Sequence, residues 1–210
     1  MGRTNRYSCT GTLSGTTGAQ VEFNDRQIMA AATHRDPLHD RADPAPALYV
    51  WIAPDPAVQA AIDAHRRAWW WPEGSHQPKP HRLHLTLCPL GARSDAEIEG
   101  IDEALRGVRP DSFELVLDRS GVWTRNGVAV VRPQAHPGLT QLHHAIERAI
   151  LPWTRPVPWE PHITIARRAL GAGAQRMTPI RWQVREFVLV RSWLPPHRVW
   201  HEVLGRHRLV

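Results

Sequence analysis

Apolar and polar positions along this chain fall into short blocks whose periods predict the elements in turn. Ala47-Leu48-Tyr49-Val50-Trp51-Ile52, rich in aromatic and aliphatic residues, reads as a strand. Asp55 and Pro56 follow as a cap and a first-turn proline. Val58, Ile62 and His65 then recur at i, i+4 and i+7, which predicts an amphipathic helix ending at Trp69-Trp70-Trp71-Pro72. Leu83, Leu85 and Leu87 alternate with His84 and Thr86, and Cys88-Pro89-Leu90-Gly91 closes that strand. Ser94 and Glu97 have capping-box spacing ahead of a helix striped by Ile98, Ile101, Leu105 and Val108. Phe113, Leu115 and Leu117 alternate with Glu114 and Asp118, and Asn126-Gly127 signals a hairpin turn before Val128-Ala129-Val130-Val131. Leu139, Leu142, Ile146 and Ile150 mark another helix. Beyond it, Ile163 and Ile165 alternate with His162 and Thr164, then Phe187, Leu189 and Trp193 predict a strand and Val199 to Leu204 a last one.

The order strand–helix–strand–helix–strand, then strand–helix–strand–strands, describes two similar lobes. Short strands with hairpin signals favour antiparallel or mixed sheets flanked by helices, hence the α+β class. Residues 1–46 differ: they are rich in Gly, Thr, Ala and Asp and sustain no period of two or 3.6. They are expected to be a poorly ordered N-terminal extension without chemistry, with Met29 as an alternative start, and residues 47–210 to be the functional domain.

Composition narrows the class. The chain is 210 residues long, 42% hydrophobic and 22% charged, as expected of a soluble globular protein. No stretch approaches 18 apolar residues, and Met1 to Arg6 lacks the apolar segment of a secretory signal. With only Cys9 and Cys88, a disulfide framework is not expected, and a reducing, cytoplasmic setting is. The net charge of +6 is unevenly placed: residues 161–210 hold nine Arg against two acids. That concentration favours an anionic partner, phosphate or nucleic acid. Since Lys79 is the only lysine, codon bias toward arginine is the competing explanation.

Two of the predicted strands say the same thing twice. Leu83-His84-Leu85-Thr86-Leu87 and Pro161-His162-Ile163-Thr164-Ile165 share a His-aliphatic-Thr-aliphatic pattern. Strand side chains alternate faces, so each histidine lies beside its threonine with aliphatics behind. In a chain of this composition one such tetrad is expected by chance roughly 0.03 times, and two on the order of once in a thousand chains. Two imidazoles can act as general base and general acid on opposite sides of one centre. Two hydroxyls beside them can donate to the non-bridging oxygens of a phosphate, and Arg167 can add fixed charge. In-line displacement at phosphorus requires that arrangement. A metal reading would take His84 and His162 as ligands, but no carboxylate accompanies either tetrad; no metal and no cofactor is expected. Tyr49 and Trp51 share the face of the histidines if Leu48, Val50 and Ile52 face the core. They and Trp159 are candidates for stacking on a nucleobase, against simple packing.

With these motifs the sequence resembles the 2H phosphoesterase superfamily, and within it the bacterial RNA 2′,3′-cyclic phosphodiesterases, also called 2′-5′ RNA ligases. The likeness runs over residues 47–210: the two tetrads with Arg167, the Leu48–Pro54 strand, Phe113 to Leu117 with Gly121 and Trp123, and Glu186 to Leu189 with Ser192. Cys88-Pro89 departs from the aromatic common near that strand end. The resemblance implies a bilobal α+β fold with pseudo-twofold symmetry and a basic cleft between the lobes. It implies metal-independent opening of an RNA 2′,3′-cyclic phosphate to a 2′-phosphate, with reversible 2′-5′ joining as a side activity. It assigns His162 as base, His84 as acid, and Thr86, Thr164 and Arg167 to the phosphate. A monomer acting on RNA ends or small cyclic phosphates, without a membrane or obligate protein partner, is expected. Two alternatives stay open: a phosphodiesterase of small cyclic nucleotides or ADP-ribose cyclic phosphates, and a non-catalytic RNA-binding module.

Overall fold

The computed structural model describes residues 45–193 and 199–210, so nearly all of the expected extension lies outside the described residues. The chain runs β1 (Ala47–Ile52), α1 (Pro56–Arg67), a 3-10 turn (Pro80–Arg82), β2 (Leu85–Gly91), α2 (Asp95–Arg106), β3 (Phe113–Trp123), β4 (Val128–Pro133), α3 (Pro137–Ile150), β5 (Ile163–Ala166), β6 (Ile180–Val184), β7 (Glu186–Trp193) and β8 (Trp200–Arg208). The helix starts follow from local chemistry. Asp55 accepts from the backbone N–H groups of Ala57 and Val58, and Ser94 and Glu97 form the reciprocal capping box. Glycine at 127 supplies the positive φ (66°) that closes the β3–β4 hairpin. β6 was not anticipated, although Ile180, Trp182 and Val184 alternate with Arg181 and Gln183; a single residue separates it from β7. β8 extends past Leu204 because β7 offers it pairing as far as Glu186↔Arg208.

The described strands form one α+β sheet in the order β6-β3-β4-β5-β2-β1-β7-β8. Every pairing is antiparallel, so the mixed-sheet alternative does not occur among them. The sheet divides into two four-stranded halves joined through one register pair, Leu85↔Ile163. About that pair the halves are pseudo-symmetric: β2 matches β5, β1 matches β4, β7 matches β3 and β8 matches β6.

One face of the sheet makes the core. Leu48, Val50 and Ile52 of β1, Leu85 and Leu87 of β2, and Ile163 and Ile165 of β5 are buried with the apolar stripes of the three helices. Each such side chain contributes about 1.5–3 kcal/mol of burial. The opposite face carries a separate small cluster, Trp51 with Val188 and Val190, flanked by Tyr49. Having one face committed to the helices leaves the other free for chemistry.

One buried charge ties the halves together. Arg66, 4% exposed, pairs with Asp63 at 2.6 Å and donates to the carbonyls of Pro78 (2.7 Å) and Ile165 (3.3 Å). It thereby fastens α1 both to the loop before β2 and to the end of β5.

Candidate active site

Both histidines sit at the entry of the two central strands, one residue before β2 and one before β5. The alternation read from the sequence holds: Leu83, Leu85 and Leu87 are buried, as are Ile163 and Ile165, while His84, Thr86, His162 and Thr164 are partly exposed on the other face. The antiparallel pair Leu85↔Ile163 fixes the rest. Continued by one residue each way, that register sets His84 across from Thr164 and Thr86 across from His162.

The two imidazoles are held in the same way. His84 Nδ1 lies 2.7 Å from the Arg82 carbonyl oxygen, and His162 Nδ1 lies 2.8 Å from that of Glu160. A carbonyl can only accept, so Nδ1 carries the proton in each ring and Nε2 is left to take or give one. Their surroundings differ. His84 stacks on the Trp51 indole at 3.9 Å, whereas Trp123 meets His162 edge-on at 4.5 Å. Burial pushes the His84 pKa down to about 4, opposed by the Arg82 carbonyl and reinforced by the positive charges of His201, His162 and Arg167. That His162 and Arg167 act on His84 shows the groups of both halves converging on one space. In the free protein His84 is therefore neutral at pH 7.

Arg167 directly follows β5 and is exposed. Its backbone is clamped to His76 by two hydrogen bonds, 2.8 and 2.9 Å, in the loop that Arg66 fastens. Its charge also reaches Tyr49, whose pKa burial raises. Of the aromatic candidates, Trp51 has its broad faces toward His84 and Tyr49 (6.3 Å) and is 7% exposed. Tyr49 is more open. Trp159 donates its indole N–H to the Thr86 carbonyl at 2.9 Å and stacks on His143 at 3.9 Å, which ties it to the β2 backbone and α3. His201 of β8, to which sequence spacing gives no role, has its ring edge-on to Trp51 and 6.1 Å from His84. Only its β-ladder partner, Ser192, had been singled out, and the two pair in register across β7 and β8.

A second cluster lies beneath the site. Cys88 Sγ is 3.8 Å from His143 Nδ1, and His143 Nε2 is 3.4 Å from Glu147. Burial, with the Glu147 charge, raises the Cys88 pKa to about 12, and burial lowers that of His143. This thiol is thus protonated and inert. Iodoacetamide at pH 8 should leave Cys88 unmodified in the folded protein and alkylate it after urea unfolding, as peptide mass mapping would show. Labelling of Cys88 in the folded state would refute that assignment.

An antiparallel α+β sheet of two matched halves, joined by the strands that follow two equivalent histidines, is the architecture of the 2H phosphoesterases. The chain belongs to the 2′-5′ RNA ligase superfamily, which it matches over residues 54–193, and is an enzyme of that class. It is 31% identical over 150 residues to a Thermus thermophilus protein named RNA 2′,3′-cyclic phosphodiesterase, covering 62% of this chain and 73% of that one. Its fold is similar to that of E. coli LigT in the apo form, with a TM-score of 0.70 and 27% identity over 80% of this chain and 99% of that one. E. coli LigT has also been crystallised with 3′-AMP, and that structure matches with a TM-score of 0.68, 27% identity, 79% of this chain and 99% of that one. No helix among the described residues is long and apolar enough to cross a membrane.

Proposed function

We propose that the chain hydrolyses the 2′,3′-cyclic phosphate at an RNA end to a 2′-phosphate, without a metal. The observation that carries this reading is the pair of imidazoles with matched tautomers, each across the strand register from a threonine. In the step proposed, His162 Nε2 takes a proton from water as its oxygen attacks phosphorus. The P–O3′ bond breaks, and His84 Nε2 gives its proton to the departing 3′ oxygen. The neutral His84 of the free cleft gains that proton once an anionic phosphate lies beside it, because a neighbouring negative charge favours imidazolium. Thr86 and Thr164 donate to the non-bridging oxygens, and Arg167 neutralises the charge that builds on them. Tyr49 is the side chain we assign to base stacking. With an RNA 5′-hydroxyl in place of water as the attacking group, the same displacement would join RNA ends 2′-5′, the P–O3′ bond again breaking and His84 Nε2 protonating the 3′ oxygen. The relative named RNA 2′,3′-cyclic phosphodiesterase supports this substrate class. A reduced, cytoplasmic setting suits the buried free thiol of Cys88.

The test is purified protein in EDTA with an oligoribonucleotide ending in a 2′,3′-cyclic phosphate, the product being identified by mass and phosphatase sensitivity. A 2′-monoester is expected. A cyclic mononucleotide run in parallel should turn over less efficiently. If it is the better substrate, the small-nucleotide reading replaces the RNA one; salt-sensitive RNA binding with no product would leave a binding module.

A further inference from the structure

The two halves of the site are matched in backbone but not in the side chains set across from their threonines. In register, the residue opposite Thr86 on β1 is Trp51, and the residue opposite Thr164 on β4 is Val130. An indole thus occupies one half where an isopropyl group occupies the other. The Trp51 ring lies nearly parallel to that of His84, 23° apart at 3.9 Å. His201 closes the edge, perpendicular to Trp51 at 5.2 Å and 76° from the His84 plane. His201 is itself anchored, with Nδ1 2.9 Å from the hydroxyl of Ser192, which is 1% exposed. The sequence Ser192–His201–Trp51–His84 therefore runs from a buried hydroxyl of β7 to a reacting imidazole.

We infer that Trp51 and His201 are positioning residues that bracket the His84 ring and fix its plane. The inference rests on the catalytic role proposed for His84. Two effects of an indole face oppose one another. It attracts a cation, which favours imidazolium, and it excludes water, which disfavours it. With the ring covered on its face by Trp51 and at its edge by His201, exclusion of water wins, in line with the low pKa of His84. The charged groups acting on His84 from the packed elements are His201 of β8 and His162 and Arg167 at the two ends of β5, all of the same sign. Nothing acidic offsets them among these neighbours. An anionic phosphate in the cleft supplies the missing negative charge, so protonation of His84 is coupled to occupancy. His162 meets the Trp123 indole, not Trp51. The device keeps His84 from taking up a proton in the empty cleft and ties that proton to the arrival of the phosphate.

The experiment is a histidine C–H NMR titration of the full chain as wild type, Trp51→Phe, Trp51→Ala and His201→Ala. Assignment comes from His84→Ala. In the wild type, the His84 Cε1–H signal should be shifted upfield by the indole and stay flat from pH 8 down to about 5. In Trp51→Ala the upfield shift should vanish and the midpoint should move toward the ordinary histidine value of about 6.5. Trp51→Phe, which keeps a ring on the imidazole, should preserve a depressed midpoint. His201→Ala should raise the midpoint by at least about half a pH unit, since both cover and charge are removed. kcat/KM on the cyclic-phosphate oligonucleotide should fall about tenfold or more in Trp51→Ala and largely recover in Trp51→Phe. A folded Trp51→Ala with an unchanged His84 signal overturns the inference. If that variant does not fold, an unchanged midpoint in His201→Ala overturns it instead. Should His84→Ala keep wild-type turnover, the proposed function fails while the titration still reports whether the bracket exists.

Discussion

Replacing either His84 or His162 by alanine is expected to lower kcat on the cyclic-phosphate oligonucleotide by about 10²–10⁴-fold, the usual worth of a positioned acid or base. In the proposed reaction the two rings enter the same displacement from opposite sides, one on the entering oxygen and one on the leaving oxygen. Neither can do both at once, because each presents a single Nε2 and spends Nδ1 on a backbone carbonyl. Their effects should therefore not add: the double variant should be scarcely slower than the worse single one, as for groups that act as a unit. Structure should survive, since both side chains are partly exposed and the burial in these segments resides in Leu83, Leu85, Ile163 and Ile165. Single-turnover rates with matched far-UV spectra measure this. Undiminished turnover in either single variant would remove that histidine from the chemistry.

Arg66→Met should have the largest effect on stability, about 3–5 kcal/mol, read by urea unfolding. The arginine is buried, and its removal leaves the Asp63 carboxylate, whose side chain is 10% exposed, with the solvent-exposed Arg67 as its one ionic partner among the described residues. The carbonyls of Pro78 and Ile165 lose their donor as well. Removing both charges is a different matter. Asp63→Leu combined with Arg66→Met should recover most of the loss, because no unpaired charge then remains in the interior. The functional consequence is local. Pro78 lies two residues beyond His76 and Ile165 two before Arg167, the residues whose backbones pair beside the cleft. If Arg167 binds the phosphate as proposed, loosening that clamp should raise KM more than it lowers kcat, since its guanidinium would be held less firmly. A single variant as stable as wild type would show that Arg66 does not hold this corner.

Local chemistry made much of the molecule legible. Asp55-Pro56 and Ser94 with Glu97 announced two helix starts because capping needs only residues within one turn. The aliphatic alternation at 83–87 and 161–165 announced which side of each strand would be core, because the pleat has a period of two. β6 escaped notice despite its own alternation, being five residues long and run into β7 after Arg185. Arg66 was invisible as a structural residue: a basic side chain in the last turn of an amphipathic helix looks like a solvated end, and only the loop and strand packed over it make it a buried clamp.

By itself, then, the sequence determined that there are two strand-borne His-x-Thr faces, the family they resemble and the α+β order of elements around them. These depend on spacing along one strand or one helix turn, which the backbone periods translate directly into shared faces. The tertiary structure decided how the two faces meet. The Leu85↔Ile163 register crosses each histidine with the other motif's threonine. The pairing of β1 with β2 and of β7 with β8 brings Trp51, Ser192 and His201 to one imidazole and not the other. Residues separated by up to 150 positions are joined there, and contacts at that separation follow from sheet order and packing, for which no local period exists.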